Sequence, residues 1–355
     1  MKIPVRTPQL TVGAQVLNRP TSHDDSPMPA LALPPLHTRM LSIRLAWGEG
    51  GALAAEGRIV DIRKRGLVPL LGKLQGPGIV HDMAVAVRLR GDDLEIESIE
   101  PRMAAYPFAP RQQTGGEACP DILGRVQGLR GAVLGDAYDA RLVGEIGGPR
   151  GCFHVSTLLR LLGPAVREAV ARDRDRRSHA ATPVAGTPVF ARSVIIDGVR
   201  GEGLRLALRG ILFDLDYVPG ADALPIEEEM AESFEANADV EIEVPEMTIA
   251  AASGRVRRGG HAIDRPGEWT PVPRIEELAG LTMYKGYTAE VQKRFADSDQ
   301  PLALQHLLFM MAPALIQCMP SLMDEVAWQP RRAESSRGAV DSCHMWRADG
   351  PLMRA

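Results

Sequence analysis

Cysteine is scarce and scattered. The four thiols, Cys119, Cys152, Cys318 and Cys343, make no C-x-x-C pair and no regular spacing. A disulfide framework and a zinc finger are therefore excluded, and reduced thiols are expected. Charge of one sign is lacking too. Forty-one Lys and Arg stand against 45 Asp and Glu, a net charge of -4 with both signs interspersed, so no basic stripe offers nucleic acid a footing. Met1 to Leu17 lacks the apolar segment of a signal peptide, and no apolar run is read as approaching the ~18 residues of a membrane span. The expectation is a cytoplasmic protein with neither a membrane nor a nucleic-acid partner. No G-x-G-x-x-G follows a strand, and P-loop, H-E-x-x-H and G-x-S-x-G patterns are missing. Nucleotide-cofactor redox, phosphoryl transfer and the common hydrolases thus lack their fingerprints. Acid and base chemistry by histidine and carboxylate remains.

What is present is an internal correspondence. Gly48-Glu49-Gly50 recurs as Gly201-Glu202-Gly203, and at the same offset of 153 Leu41, Ile43, Gly57 and Asp61 meet Val194, Ile196, Gly210 and Asp214. Further on, Val85, Val87 and Leu89 meet Val240, Ile242 and Val244 at 155, and Leu158-Leu159 meets Leu307-Leu308 at 149. A period near 150 is far above the roughly 20 to 50 residues of solenoid repeats. The pattern reads as a tandem duplication of a whole domain, and 355 residues suit two domains of ordinary size.

The segments between the anchors set the expected boundaries. A Pro-rich arm covers 1–37, a first repeat domain 38–181, a second and degenerate one 182–328 with the junction near Thr182, and a linker with a C-terminal tail 329–355. Alternation in Met40 to Leu45 and Ala52 to Ile62 predicts a hairpin, and Met83 to Leu89 with Leu94 to Ile99 a second. Ile122 to Leu129 suggests a short helix. Val155 to Ala171 and Gln305 to Cys318 are amphipathic at helical spacing. The predicted fold class is α+β: two tandem related domains, each an antiparallel sheet of about four strands followed by packed helices.

Comparing the repeats points to a site. Gly151-Cys152-Phe153-His154 precedes the long helix, where free backbone N–H groups and the helix dipole favour anions and lower the pKa of a thiol or imidazole. Pro301 and Ala303 stand at the aligned positions of the second repeat, and Ala236-Asn237 faces His81-Asp82. Groups that the fold itself needs are expected in both repeats. The catalytic set is accordingly His81 and His154 as acid and base, Asp82 orienting an imidazole, and Cys152 in support. Bland readings stand beside it: Cys152 as a small buried residue, His81 and Asp82 as a strand-entry hydrogen bond. Arg102, Tyr106, Tyr138, His344 and Trp346 are candidates for substrate contact, the last two as a tail over the site or as a simply docked end. No cofactor is predicted. The alternative is a divalent metal on His81, Asp82, Cys152 and His154.

His81-Asp82-Met83, Met103, Pro107, Gly128-Leu129 and above all Gly151-Cys152-Phe153-His154 resemble a bacterial domain-of-unknown-function family, family 2889, whose hallmark is Gly-Cys-Thr-His before a helix. The resemblance covers roughly Met40 to Ala171, with Phe153 in place of the usual threonine, and weakly the second repeat. It implies no established activity and suggests a link with aromatic-compound breakdown. The expected function is a cofactor-independent lyase or isomerase, of which retro-aldol cleavage is an example, acting on a small catabolic intermediate of aromatic or phenolic type. A metal-binding or scaffold protein and a non-catalytic interaction module are the alternatives, and a homodimer is left open.

Overall fold

In the computed structural model, residues 35–66, 68–70, 73–176, 184–203, 205–217, 232–244, 246–259, 267–284, 286–295, 302–323 and 340–354 are described. Most of the expected arm, the Thr182 junction and much of the 329–342 linker lie outside them. Long antiparallel strands dominate. β1 (His37–Trp47) and β2 (Leu53–Arg63) form a hairpin, β3 (Val68–Leu70) and β4 (Lys73–Gln75) a small separate one, and β5 (Gly78–Arg90) returns beside β2 to pair with β6 (Glu95–Ala105). After the helices, β7 (Pro188–Arg200), β8 (Arg205–Asp216), β9 (Glu232–Glu243) and β10 (Thr248–Gly259) repeat this meander, and β11 (Thr270–Pro271) ends it.

These strands do not make two sheets. One nine-stranded antiparallel sheet runs β11-β10-β9-β8-β7-β1-β2-β5-β6, which corrects the expectation of two tandem domains with about four strands each. The cause is β1, the first strand of its meander, which would otherwise expose an edge of unpaired N–H and C=O groups; β7 has the same problem. Each strand covers the other. Leu41 pairs with Val194 across this seam, and these two also occupy the same place in the two meanders, so a local twofold axis passes through the pair. Hydrophobic alternation within each half would look the same in either arrangement, which is why it could not distinguish them.

The strand pairings also settle the internal alignment. Gly57 pairs with Val85 and Gly210 with Ala238; Leu53 pairs with Leu89 and Leu206 with Ile242. The offset of 153 therefore persists through the third strand. Phe234, not Ala236, is the counterpart of His81.

Helices cover one face of the sheet. α1 (Tyr138–Ile146), α2 (Phe153–Arg176), α3 (Tyr287–Phe295) and α4 (Leu302–Met323) follow the two meanders, with 3-10 turns at Cys119–Leu129 and Ile275–Leu278. Residues of one parity point at them: Leu41, Ile43 and Leu45 in β1, Ala55 and Ile59 in β2, Met83, Val85, Val87 and Leu89 in β5, all buried. Close approach is set by glycine. A Cβ on Gly57 would stand 2.8 Å from Leu158, and one on Gly210 would stand 2.7 Å from Met311, so each long helix lies directly on its strand.

α4 corrects the reading that no apolar run nears membrane length. Leu302–Leu322 is long and apolar enough to cross a bilayer, yet 61% of its window is buried inside the protein. It lies against β7 and β8 as a core helix.

In the second half a charged triad sits under α4. Arg192 forks onto Asp214 through Nε and Nη2, at 2.7 Å each, and its Nη1 meets His306 Nδ1. All three are buried. Burial and the adjacent guanidinium push the imidazole of His306 well below its usual range, so it is a neutral acceptor. An unfolded chain takes up this proton near pH ~6.5 and the folded one only in much stronger acid, so acidification favours unfolding. The contribution of His306 is complete above about pH 6.5 and is lost as pH falls. The variant His306→Gln keeps an acceptor that does not titrate. Urea midpoints measured between about pH 7 and 5 should fall less steeply in this variant than in the parent, and equal slopes would contradict the assignment.

Candidate functional site

The inward parity that delivers leucine and isoleucine to the core delivers polar groups at one end of the sheet. His37 and Arg39 share a face with Leu41, Asp61 with Ile59, and His81 with Met83. Arg39 pairs across the strands with Asp61, and Asp61 with His81, so the three are immediate neighbours. A register shift between Asp61 and Ile62 places a bulge beside them. Such bulges re-aim side chains at sites. From above, the first turn of α2 lowers His154 onto the same spot. The two imidazole rings of His81 and His154 lie 3.9 Å apart, tilted by 30°.

Asp61 is the hub. Its carboxylate is wholly buried and accepts two bonds from Arg39, Nε to Oδ1 and Nη2 to Oδ2, at 2.8 Å each. His37 Nε2 lies 3.0 Å from Oδ1 in hydrogen-bonding geometry. His81 Nδ1 and His154 Nε2 lie 3.1 and 3.3 Å from Oδ2. These last two are near enough for an ion pair, yet neither nitrogen has a hydrogen-bond partner, since distance is met and direction is not.

Burial pulls the Asp61 carboxyl upward, but the Arg39 charge and the hydrogen bond from His37 outweigh it and hold the group well below the usual carboxylate range. His154 moves the other way. Burial first, and His81 beside it second, bring its pKa to about 3 despite Asp61. His37 is lowered by burial as well. His37 and His154 are therefore neutral at pH 7, with lone pairs available to a proton or a cation. Neither can serve as a resting acid.

Of the residues expected at the site, the structure brings together His81 and His154. Asp82 is carried to the opposite face by strand alternation, where Arg58 forks onto it at 2.8 and 2.7 Å. It orients no imidazole. Arg102, paired with Ala84, is exposed on that same outer face. Cys152 is buried at the start of α2 with Sγ 3.9 Å from Met83 Sδ. Burial pushes its thiol up to about 12, against the backbone amides of Val155 and His154, so the expected lowering at a helix N-terminus does not occur. The protein carries a thiol there, not a thiolate. Tyr138 is buried under the helices, its hydroxyl donating to the Leu159 carbonyl at 3.3 Å.

The tail is docked. His344 donates its backbone N–H to the Gly151 carbonyl at 2.8 Å, and its Nε2 meets the Ala118 carbonyl at 2.8 Å. Trp346 stands edge-on to Phe108 at 6.4 Å, and Tyr106 packs on the cluster of Phe108, Cys119 and Met345. Arg347 grips Glu117 with two bonds, at 2.6 and 2.9 Å. His344 ties the tail to the turn before α2, and Trp346 and Arg347 tie it to the 108–119 segment.

Asp61, Arg39 and His37 were not among the residues expected at the site. Their signal was charge on the buried parity of a strand, together with recurrence: Asp61 returns as Asp214 and Arg39 as Arg192. In the second half the pair is kept, but Phe190 replaces His37, Phe234 replaces His81 and Ala303 replaces His154. The Arg–Asp pair belongs to both halves. The three histidines belong to one.

Residues 37–168 match the family model described as Protein of unknown function (DUF2889). The matched segment runs from the first residue of β1 into α2 and so contains every member of the Asp61 cluster. No curated protein and no solved structure matches the chain.

Proposed function

We propose that the chain is an enzyme, a lyase or isomerase that moves protons on a small molecule, with Asp61, His81 and His154 at its centre. The observation that carries this reading is the substitution of all three histidines in a second half that keeps the same Arg–Asp pair. A fold that tolerates Phe190, Phe234 and Ala303 at these places has no structural need for imidazoles there. The neutral imidazole of His154 beside a buried carboxylate suits proton abstraction and return. Retro-aldol cleavage belongs to this class: a hydroxyl proton is removed, the carbon–carbon bond breaks toward the carbon next to a carbonyl, and that carbon takes a proton.

The test begins with a deletion strain grown on a panel of carbon sources, phenolic compounds included, and with the metabolite it accumulates. On that metabolite His81→Ala and His154→Ala should each lower kcat/KM by about 10² to 10⁴, the usual worth of a positioned acid or base. Folded variants with parental turnover would overturn the reading.

A further inference from the structure

The two nitrogens that face Asp61 without bonding it need an explanation. His81 is 5% exposed and His154 9%, so water does not freely satisfy them. Buried polar atoms in native proteins nearly always have partners, and an orphan pair at one point indicates something that binds there. One ring nitrogen of His81, one of His154 and a carboxylate oxygen of Asp61 all lie within 4.8 Å of one another. Their separations from Oδ2, 3.1 and 3.3 Å, are near the ~3.3 Å expected between ligands that each reach a tetrahedral ion at ~2.0 to 2.1 Å. Lone pairs aimed at a common ion point past each other, which is why the distances suit hydrogen bonds and the angles do not.

We infer that Asp61, His81 and His154 are a three-ligand site for a divalent first-row metal, zinc foremost, with a further coordination position left for water or substrate. The inference rests on the reading of this cluster as the functional site and specifies its chemistry. Two nitrogens and one carboxylate oxygen are a donor set of catalytic zinc and of non-haem iron. Arg39 holds Asp61 in place from the other side, and His37 fixes Oδ1, as outer partners of ligating carboxylates do. A divalent ion beside Arg39 and a single carboxylate leaves an excess of positive charge in a buried place. The open position therefore favours an anionic oxygen: hydroxide, or a substrate bearing a carboxylate, enolate or phenolate. With an ion bound, His81 and His154 would serve the proposed reaction as its ligands, and water at the open position would take over the proton transfer from them. Asp82 and Cys152 take no part, one facing the other side of the sheet and the other facing Met83.

The full-length protein, purified without chelator, should contain about one equivalent of metal by elemental analysis. Stripped protein titrated with Co²⁺ should develop the visible absorption of a low-coordinate site. His81→Phe and His154→Ala should lose Co²⁺ affinity by more than the roughly 10- to 100-fold that an outer partner costs, whereas Cys152→Ala and Asp82→Asn should bind as the parent does. Failure to bind Co²⁺, or binding unchanged in the two histidine variants, overturns the site. Turnover that survives stripping but is lost in the histidine variants also overturns it and leaves the proton-transfer reading standing. Tight binding without turnover of any metabolite in the panel supports the metal site and removes the lyase reading.

Discussion

Asp61→Ala should destabilise the fold by about 3 to 5 kcal/mol, the cost of stranding a buried charge. Arg39 is 1% exposed and has no route to water when its partner goes. Against a total stability of roughly 5 to 15 kcal/mol this is a large share, visible as a fall in the urea midpoint at unchanged m-value. The comparison that gives the number meaning is the double variant Arg39→Met/Asp61→Leu. Removing both charges together leaves none unpaired, so it should lie much nearer the parent. A double as unstable as the single would show that Asp61 stabilises by another route. Asp214→Ala should behave like Asp61→Ala in stability, because Arg192 is buried to the same extent. Only the Asp61 variants should also lose Co²⁺ binding. Replacing His37, His81 and His154 by Phe, Phe and Ala, the residues of the second half, should leave the midpoint far closer to the parent's than Asp61→Ala does. The pair then belongs to the fold and the histidines to the site.

The local elements were legible because each has its own period. Leu41, Ile43 and Leu45 alternate, as do Val85, Val87 and Leu89, and Leu158, Leu162 and Val166 recur at helical spacing; these became β1, β5 and α2. Their assembly was less legible, since the β1–β7 seam is a long-range pairing that leaves no mark on either strand's own pattern. The site divided along the same line. His81 and His154 stood out as imidazoles missing from the second half. Asp82 adjoins His81 in sequence, but the period of two in a strand sends neighbours to opposite faces. Asp61 was visible as an anchor of the internal correspondence, where its recurrence as Asp214 marked it as structural. It is structural, holding Arg39, and it is also the group on which both histidines converge. A residue with both duties is retained in both halves and so escapes a comparison that looks only for losses.

Gly151→Ala should damage the site without touching any of its side chains. The backbone of Gly151 is extended, at φ -137 and ψ -155, a conformation open to any residue. What excludes a side chain is space: a Cβ here would overlap the carbonyl oxygen of Ile146, a backbone atom at the end of α1 that cannot swing aside. The turn must move instead, and it holds His154 three residues on while its own carbonyl receives the tail through His344. Overpacking of this kind costs about 1 to 3 kcal/mol. The larger effect should fall on function. A displacement of the first turn of α2 by ~1 Å pulls one of three converging groups out of place and can cost on the order of 10²-fold in rate. Co²⁺ affinity should fall with it, and the tail should become easier to cleave by protease. Gly144→Ala, in α1 with nothing within 4 Å of the added carbon, is the control. It should gain roughly 0.5 to 1 kcal/mol from helix propensity and leave Co²⁺ binding as it was. If Gly151→Ala binds Co²⁺ and resists protease as well as Gly144→Ala does, the turn does not hold His154 in register with Asp61 and His81, and the rigid seating of α2 on the sheet must be doing so alone.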